Sequence, residues 1–338
     1  MKTALYEGKH NIKMTTQPIP ECGPNDVLIK NLRAGICGSD VAVYEHGLAS
    51  GHKIKLDHPF GHEMISVVAA VGKNVTDFKV GQRVYPYPLL ASGDPSNAGS
   101  LGGFSEYLLV PNAHLNRELY LVPDSISNRT GALIEPFTVG THAAYQAHPQ
   151  PGENAIVYGA GTIGIAAATA LRHAGCQKIM LVDLSDYRLS IARQMGFATC
   201  NSSETDLEAA CTEFFGLAPS LNGQVPAIDI TIDAVGAAEI FDRFMAKGPI
   251  DSRYVIVGVA KQARQVDLLA LTYSSRAIIG SGGYRPKDVQ IVLDIMQHNN
   301  DLIEKMVTHE FAWEDLEKGI QTAADPQHAL NVQIVYQD

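Results

Sequence analysis

The feature that most constrains the fold is a glycine-rich turn between an apolar segment and a helical segment. The sequence GAGTIG at positions 159–164 directly follows the apolar run Ile156 to Tyr158 and precedes the helical run Ile165 to Ala174. The first two glycines permit a tight turn with close approach of a phosphate, and the third permits close packing of helix on strand. The helix N-terminus adds unpaired amides and a partial positive charge. The segment therefore predicts a dinucleotide-binding turn.

An acidic residue after the next apolar run indicates which dinucleotide binds. Asp183 follows the run Ile179 to Val182, about 20 residues beyond the turn, where a carboxylate accepts hydrogen bonds from the adenosine ribose and repels a 2′-phosphate. This predicts NAD as the cofactor. Two alternatives stay open: Asp183 caps the following helix beside an ordinary turn, or Arg188 receives the 2′-phosphate of NADP. The predicted cofactor-binding residues are Gly159, Gly161, Thr162, Ile163, Gly164, Asp183, Arg188, Val235 and Val257.

The chain divides into two regions with different predicted patterns of secondary structure. Up to about residue 145, short apolar runs are interrupted by turn residues, which predicts an irregular β-rich domain. Its predicted strands are Val27 to Leu32, Met64 to Val71, Arg83 to Tyr87 and Tyr107 to Val110. From Ala155 onward, apolar strands alternate with helical stretches, a pattern typical of a doubly wound parallel sheet. Its predicted strands are Ala155 to Tyr158, Ile179 to Val182, Ile228 to Asp233 and Tyr254 to Val257.

The end of the chain predicts a helix from Pro286 to His298 and a closing strand from Val332 to Tyr336. That strand has no obvious place in a complete nucleotide-binding sheet, so we expect the tail to return to the first domain. The predicted domains are therefore residues 1–148, completed by residues 284–338, and residues 149–283. The predicted fold class is α/β.

Composition and charge exclude several classes of partner. A chain of 338 residues has room for about two domains. Lys and Arg total 26 against 36 Asp and Glu, a formal charge of −10 that opposes the attraction to phosphate in nucleic-acid binding. No run approaches the roughly 18 apolar residues that span a bilayer, and no signal-peptide pattern begins the chain. We expect no nucleic-acid or membrane partner, a cytoplasmic location, and reduced thiols in the 5 cysteines, which form no CxxC pair.

Four residues of the metal-binding types precede the glycine-rich turn. Cys37, His62, Glu63 and Glu135 supply one thiolate, one imidazole and two carboxylates. Such a set can hold zinc with one position open for a substrate, the arrangement of a catalytic rather than a structural zinc. Taken singly, each has an ordinary alternative, because a lone cysteine is more often a small buried hydrophobe and a lone histidine more often satisfies a local hydrogen bond. Together with the dinucleotide turn, the set predicts metal-assisted hydride transfer.

The motifs in their order resemble the zinc-dependent medium-chain dehydrogenase/reductase superfamily, particularly its sorbitol dehydrogenase-like polyol dehydrogenases. They span nearly the whole chain and are Gly35-Ile36-Cys37-Gly38-Ser39-Asp40, Gly61-His62-Glu63, Gly81-Gln82-Arg83-Val84, Gly102-Gly103-Phe104-Ser105-Glu106-Tyr107, Ile134-Glu135-Pro136, Val139-Gly140-Thr141-His142-Ala143 and the glycine-rich turn. The resemblance implies a GroES-like catalytic domain built from both chain ends, a Rossmann domain between them, a zinc at the cleft, and a homodimer or homotetramer.

The resemblance also implies roles for the site residues. Cys37 and His62 correspond to firm zinc ligands. Glu63 and Glu135 correspond to residues that bind zinc directly or through water as the metal moves during turnover. Ser39 corresponds to the catalytic hydroxyl that contacts the substrate oxygen and passes its proton outward, although it alternatively caps the helix that begins near Asp40. Two further residues either extend this relay or only line a helix surface, namely Tyr44 and His46.

One departure concerns a lobe in which many relatives hold a second, structural zinc with four closely spaced cysteines. The corresponding stretch from Tyr85 to Val110 contains no cysteine. We therefore expect one catalytic zinc per chain and no structural zinc. Because this lobe often helps relatives to associate, its replacement leaves the size of the oligomer open.

The substrate is the least constrained property. Arg285 corresponds to an arginine of the polyol-type relatives, and it either holds a carboxylate or phosphate or is a solvated residue at a helix start. Arg117 and Glu118 lie where relatives have substrate-pocket residues and favour a small polyhydroxy ligand. The predicted reaction is hydride transfer between NAD and a secondary hydroxyl of a polyol, sugar acid or sugar phosphate, giving the ketone. The alternatives are a dehydrogenase of small secondary alcohols, diols or threonine-like amino alcohols, and a non-catalytic nucleotide-binding protein of the same fold.

Overall fold

A computed structural model describes residues 1–50, 52, 54–260 and 262–336 of the chain. The chain forms two compact units. Unit 1 consists of Met1–Glu135 together with the chain from Met296 onward, and unit 2 consists of Pro136–Ile295. In the described part of the chain, no helix has the length and apolar character needed to cross a membrane.

The elements follow one another in three stretches. The first contains β1 (Lys2–Gly8), β2 (Asn11–Thr16), β3 (Val27–Gly35), α1 (Gly38–His46), β4 (His58–Pro59), β5 (Glu63–Val71), β6 (Arg83–Pro86), α2 (Pro88–Ala91), β7 (Tyr107–Val110), β8 (Leu119–Leu121) and α3 (Asn128–Gly131). The second contains α4 (Ile134–Gln146), β9 (Asn154–Tyr158), α5 (Thr162–His173), β10 (Lys178–Asp183), α6 (Asp186–Gln194), β11 (Ala198–Asn201), α7 (Leu207–Phe215), β12 (Leu217–Ser220), β13 (Gly223–Pro226), β14 (Ile230–Asp233), α8 (Ala238–Lys247), β15 (Arg253–Ile256), α9 (Leu268–Ser274) and β16 (Ala277–Gly280). The third contains α10 (Pro286–Ile303), β17 (Val307–Ala312), α11 (Leu316–Ala323) and β18 (Asn331–Val335), and short 3₁₀ helices lie at Gly47–Ser50, Pro95–Ser100, Glu304–Met306 and Trp313–Asp315.

Unit 2 is built on a six-stranded parallel sheet in the order β11-β10-β9-β14-β15-β16. Its central strands read as apolar runs because helices cover both faces of such a sheet. The strand order reverses between β9 and β14, and ligands of open α/β sheets bind outside the carboxyl ends of strands at this position. The predicted doubly wound parallel sheet is confirmed.

Unit 1 is built on a seven-stranded sheet in which six strands follow the order β17-β18-β3-β5-β6-β8 and β7 also pairs with β3. Strand β3 pairs antiparallel with β5, β7 and β18, so the closing strand of the chain lies beside a strand from its beginning. The core of the unit includes Tyr6, Phe60, Phe104 and Trp313. The indole nitrogen of Trp313 donates to the carbonyl of Phe104 at 2.9 Å, which joins the two chain segments at buried positions.

The pairing of β3 with β5 positions the chemistry of unit 1. Gly35, the last residue of β3, is the Cα partner of Glu63, the first residue of β5. Cys37 follows β3 by two residues and His62 immediately precedes β5. Because neighbouring antiparallel strands bring one end of each together, three residues of metal-binding type leave the sheet at one place.

Candidate metal centre and cofactor turn

Three side chains converge at the β3–β5 end of unit 1. Cys37, His62 and Glu63 each offer a ligand atom, and these atoms all lie within 4.8 Å of one another. We call these three residues the metal group. Glu63 is 3% exposed, while Cys37 and His62 are partly buried. Glu135 is also buried, in the first turn of α4, but it is not a member of the metal group.

The loop that carries His62 is held by glycines from two separate segments of the chain. Gly61 has a φ of +86°, and a Cβ atom there would lie 2.7 Å from the ring of Phe104. Its carbonyl oxygen accepts hydrogen bonds from the backbone N–H groups of Gly102 and Gly103 at 3.1 and 2.9 Å. The Gly102-Gly103 segment therefore fixes the loop from which His62 extends, although it lies far from His62 in the sequence.

Helix α1 brings two further polar side chains to Cys37. Its N-cap residue is Cys37 itself, so Ser39 lies inside the first turn and the capping alternative for Ser39 does not hold. Ser39 acts on the Cys37 sulfur in the direction that lowers the pKa of the thiol. Asp40 is 1% exposed and accepts from the backbone N–H of Cys37 at 3.0 Å.

The electrostatics of the site favour the protonated form of each member of the metal group. Burial, with the nearby Asp40 and Glu135 carboxylates, raises the pKa of the Cys37 thiol to about 12, against the opposing effect of the Ser39 hydrogen bonds. Burial and the same kind of repulsion raise the pKa of Glu63 well above its usual range. Burial alone would lower the pKa of His62, but the surrounding carboxylates outweigh burial and raise the pKa.

These observations test whether the site fits a divalent metal. Thiolate, imidazole and carboxylate are the ligands that zinc takes in proteins. In the described part of the chain, Oε2 of Glu63 is buried without a hydrogen-bond partner. Burial of a carboxylate without a donor is costly, and a cation removes that cost. The residues present therefore fit a zinc ion, with Glu135 close enough to raise the pKa of all three members of the metal group.

The glycine-rich turn of unit 2 has the geometry of a phosphate-binding turn. Gly159 has a φ of +94°, and a Cβ atom on Gly164 would lie only 1.8 Å from the Gly159 carbonyl oxygen. Gly161 is the N-cap residue of α5, which contains both Thr162 and Ile163 in its first turn. Backbone amides at the N-terminus of a helix can bind an anion.

Asp183 ends β10 beside this turn. One of its carboxylate oxygens accepts from the backbone N–H of Ala160 at 2.6 Å, and the other accepts from Leu184 and Ser185 at 2.7 and 2.9 Å. Ser185, not Asp183, is the N-cap residue of α6. The guanidinium of Arg188 lies 3.8 Å from the position that a Cβ atom on Gly161 would occupy. The structure thus brings both residues of the NAD–NADP alternative to the same turn.

One acidic residue near the cofactor turn, at the end of β14, is not among the predicted cofactor-binding residues. Asp233 ends β14, is fully buried, and accepts from the backbone N–H groups of Val235 and Gly236 at 2.9 and 2.7 Å and from the hydroxyl of Tyr254. Val257 follows β15 and donates its N–H to the Asp233 carbonyl at 2.9 Å. The signal was available, because an acidic residue ends the apolar run ITID in the way that Asp183 ends its own run.

The candidate substrate residues have local partners. Arg117 is largely exposed and contacts Glu118 at 3.1 Å, while the Glu118 carboxylate also accepts from the backbone of His114. Arg285 is exposed, and its backbone N–H donates to Asp288 at 2.7 Å.

The residues considered for a proton relay differ from one another in exposure. Tyr44 is buried and donates to Glu317, while His46 is exposed. The stretch from Tyr85 to Val110, which contains no cysteine, includes α2 and a 3₁₀ helix at Pro95–Ser100, and Asp94 caps the 3₁₀ helix by accepting from the backbone N–H of Ser96 at 2.9 Å.

Comparison with known proteins agrees with this geometry. Residues 23–124 match the family model "Alcohol dehydrogenase GroES-like domain", and residues 162–298 match "Zinc-binding dehydrogenase". The chain is 27% identical to an L-threonine 3-dehydrogenase of Escherichia coli O1:K1 / APEC, over 95% of both chains.

Solved structures share the whole architecture. The structure of 2R,3R-butanediol dehydrogenase from Bacillus subtilis superposes with a TM-score of 0.84 at 27% identity, covering 99% of both chains. A short chain alcohol dehydrogenase from E. coli CFT073, complexed with NADH, superposes with a TM-score of 0.82 at 25% identity, again over 99% of both chains.

Proposed function

The chain belongs to the zinc-dependent medium-chain dehydrogenase/reductase superfamily and is an oxidoreductase acting on CH–OH donors, and we propose that it transfers hydride from a secondary hydroxyl of a polyol, sugar acid or sugar phosphate to NAD, giving the ketone. The observation that carries the proposal is the convergence of Cys37, His62 and Glu63 within 4.8 Å. A protein that had lost its chemistry would have no evident need for this set.

In the proposed site, Cys37, His62 and Glu63 would hold one zinc ion per chain, and Glu135 would serve as a further ligand, either directly or through water. When bound, zinc supplies Lewis acidity that favours loss of a proton from an alcohol hydroxyl. Ser39 would accept that proton on its hydroxyl oxygen and release its own hydroxyl proton to water, since it lies two residues after Cys37 and is only partly buried. The partial exposure gives the proton a route to water.

NAD supplies the hydride acceptor when bound. Its diphosphate is expected at the amides that open α5, and its adenosine ribose at Asp183. The carboxylate of Asp183 already accepts three backbone N–H groups, which orients it beside the glycine-rich turn. Val235 and Val257 line the carboxyl ends of β14 and β15, where this fold binds ligands. The preference for NAD over NADP follows from Asp183, with Arg188 as the residue that would weaken it.

A second substrate class has specific support. The threonine dehydrogenase and the butanediol dehydrogenase that resemble this chain are both named for small substrates bearing a secondary hydroxyl. Small diols and amino alcohols are therefore the alternative to polyhydroxy substrates. Both classes would use the same metal group and the same cofactor turn.

A substrate panel tests the proposal. Formation of NADH is followed with polyols, sugar acids, sugar phosphates, diols and threonine, with and without a strong chelator, for the full chain and for Cys37→Ser. Chelator-sensitive turnover of a polyhydroxy compound that Cys37→Ser abolishes is the expected result. Turnover restricted to diols or threonine would favour the second class. No turnover of any compound by zinc-loaded protein that binds NAD would refute both.

We also propose that the enzyme is a cytoplasmic homo-oligomer. All 5 cysteines are free thiols, as expected in a reducing compartment. Four exposed apolar side chains lie on α9 and on β16, the last strand of its sheet, and we call them the apolar edge: Leu268, Leu269, Tyr273 and Ile278. Such strand edges are usually covered in stable proteins. At the opposite edge of the same sheet, strand β11 continues into the polar segment Asn201-Ser202-Ser203-Glu204.

A further inference from the structure

Gly35 lies directly opposite a member of the metal group. It is the Cα partner of Glu63 in the antiparallel pair of β3 and β5. Side chains of directly opposed residues lie on the same face of a sheet, a few ångströms apart, so they share one volume. Cys37 and His62 flank this pair along the two segments. The identity of residue 35 therefore bears on the geometry of all three.

The carboxylate of Glu63 fills the volume that a side chain at position 35 would need. A Cβ atom on Gly35 would lie 2.3 Å from Oε2 of Glu63 and 3.2 Å from its Cβ atom. Unstrained contacts between non-bonded heavy atoms are about 3.5 to 4.0 Å. No residue larger than glycine fits at position 35 while Glu63 keeps this conformation.

The backbone does not require glycine at this position. Gly61 needs its glycine because its φ is +86°, whereas Gly35 is not among the residues with positive φ. Gly35 is buried in a regular strand. The reason for glycine at position 35 is therefore the space that the Glu63 carboxylate occupies.

The same oxygen that lies over Gly35, Oε2 of Glu63, is buried and is not held by a hydrogen bond from any described residue. An oxygen without a hydrogen bond takes its position from the atoms that it packs against. We infer that Gly35 is a positioning residue for the metal centre: the missing side chain sets where the Glu63 carboxylate lies relative to Cys37 and His62.

This inference rests on the metal site of the proposed function and concerns the placement of one ligand. A methyl group at position 35 meets the far end of a flexible side chain, so the carboxylate can rotate away without unfolding the sheet. Its distance from the other two ligands then changes. The expected defect is in metal affinity and coordination geometry more than in folding.

The test measures zinc affinity of the full chain by competition with a chromophoric chelator, and the visible spectrum of the cobalt-substituted protein. Gly35→Ala is expected to weaken zinc binding about 10- to 100-fold, the usual effect of disturbing the residues behind a ligand, and to change the cobalt spectrum. Gly38→Ala is the matched control, because a Cβ atom there meets no atom within 4 Å. It is expected to bind zinc like the unsubstituted chain.

The same substitution made in a Glu63→Asp variant separates the positioning role of Gly35 from general damage to β3. In Glu63→Asp the carboxylate is one methylene shorter, which removes the 2.3 Å contact of Oε2 and leaves the milder 3.2 Å contact of the Cβ atom. Adding Gly35→Ala is therefore expected to change zinc affinity by less than about threefold. An equal loss in both backgrounds would overturn the inference, since the substitution would then act through the backbone. An unchanged affinity and cobalt spectrum in Gly35→Ala would overturn it as well.

Folding and metal binding give distinguishable outcomes. If Gly35→Ala yields no folded protein, circular dichroism of Gly35→Ala/Glu63→Asp decides: recovery of the fold supports a steric conflict with Glu63, and failure of both overturns the inference. Normal metal binding by every variant would remove the role of Gly35 and leave the proposed function standing. An unsubstituted chain that binds neither zinc nor cobalt would overturn the proposed function, and this inference with it.

Discussion

The Oδ1 atom of Asp40 lies 3.9 Å from Nδ1 of His62, and neither atom has a hydrogen-bond partner in the described part of the chain. The other oxygen of Asp40 accepts from the backbone N–H of Cys37 at 3.0 Å. The buried carboxylate of Asp40 therefore accepts a hydrogen bond from Cys37 through one oxygen and faces His62 with the other. A carboxylate on the Nδ1 side of a histidine orients the ring and leaves Nε2 for a metal.

Asp40→Asn is expected to weaken zinc binding about 10- to 100-fold, because the ring of His62 loses a negatively charged neighbour that orients it. Zinc affinity and metal content after dialysis check this. Asp124→Asn is the control, since the side chain of Asp124 is fully exposed. Equal zinc affinity in Asp40→Asn and Asp124→Asn would show that Asp40 only stabilises the start of α1.

Two glycines of the cofactor turn are expected to respond differently to alanine. In Gly164→Ala the new Cβ atom would lie 1.8 Å from a backbone oxygen, so unit 2 is destabilised by about 1 to 3 kcal/mol or more. In Gly161→Ala the nearest atom is 3.8 Å away, so folding is preserved while NAD binding weakens. Thermal denaturation and NAD titration check both. Equal melting temperatures for the two variants would contradict this assignment.

Asp183→Ala is expected to lower kcat/KM for NAD about 10- to 100-fold, because the adenosine ribose loses its hydrogen-bond acceptor. The preference for NAD over NADP is expected to decrease, because the Asp183 carboxylate no longer repels the 2′-phosphate of NADP. Steady-state kinetics with both cofactors measure this. Asp186→Ala provides the comparison, as Asp186 is exposed in the first turn of α6. More efficient turnover of NADP than of NAD by the unsubstituted enzyme would refute the role of Asp183.

Tyr254→Phe removes the side-chain donor to the buried carboxylate of Asp233. The expected cost is about 1 to 3 kcal/mol of unfolding free energy, with a higher KM for NAD because Asp233 holds the backbone of Val235 and Gly236. Denaturant unfolding and kinetics test the two effects. Tyr107→Phe is the control because Tyr107 lies on β7 in unit 1 and is only partly buried. A loss of stability with unchanged KM would limit Asp233 to a structural role.

Charges on the apolar edge are expected to dissociate the proposed oligomer. Leu269→Glu/Tyr273→Glu puts two carboxylates where side chains are 66% and 70% exposed, so the single chain tolerates them while a buried contact does not. Light scattering gives the mass. Leu217→Glu, at a position 55% exposed on the β12–β13 hairpin, is expected to leave the mass unchanged. The same mass for both variants would show that the interface between subunits does not include the apolar edge.

Strand patterns in the sequence predicted most elements near the two sites. Tyr107 to Val110 was predicted residue for residue, and the strand from Val27 extends beyond the predicted end at Leu32 to Gly35. The extension arises because β5 and β18 both pair with that end of β3. The β12–β13 hairpin was not predicted, since it begins and ends in short proline-containing segments without an alternating apolar pattern.

Local chemistry is what the sequence by itself determined: the glycine turn after an apolar strand, the acidic residue at the next strand end, and the residue types of the metal group. These features depend on neighbours a few positions away. Only the tertiary structure decided that the ligand atoms of Cys37, His62 and Glu63 converge within 4.8 Å, that β18 pairs with β3, and that the Glu63 carboxylate occupies the space beside Gly35. Each of these depends on the register and packing of segments far apart in the chain, and side-chain spacing within one segment carries no information about them.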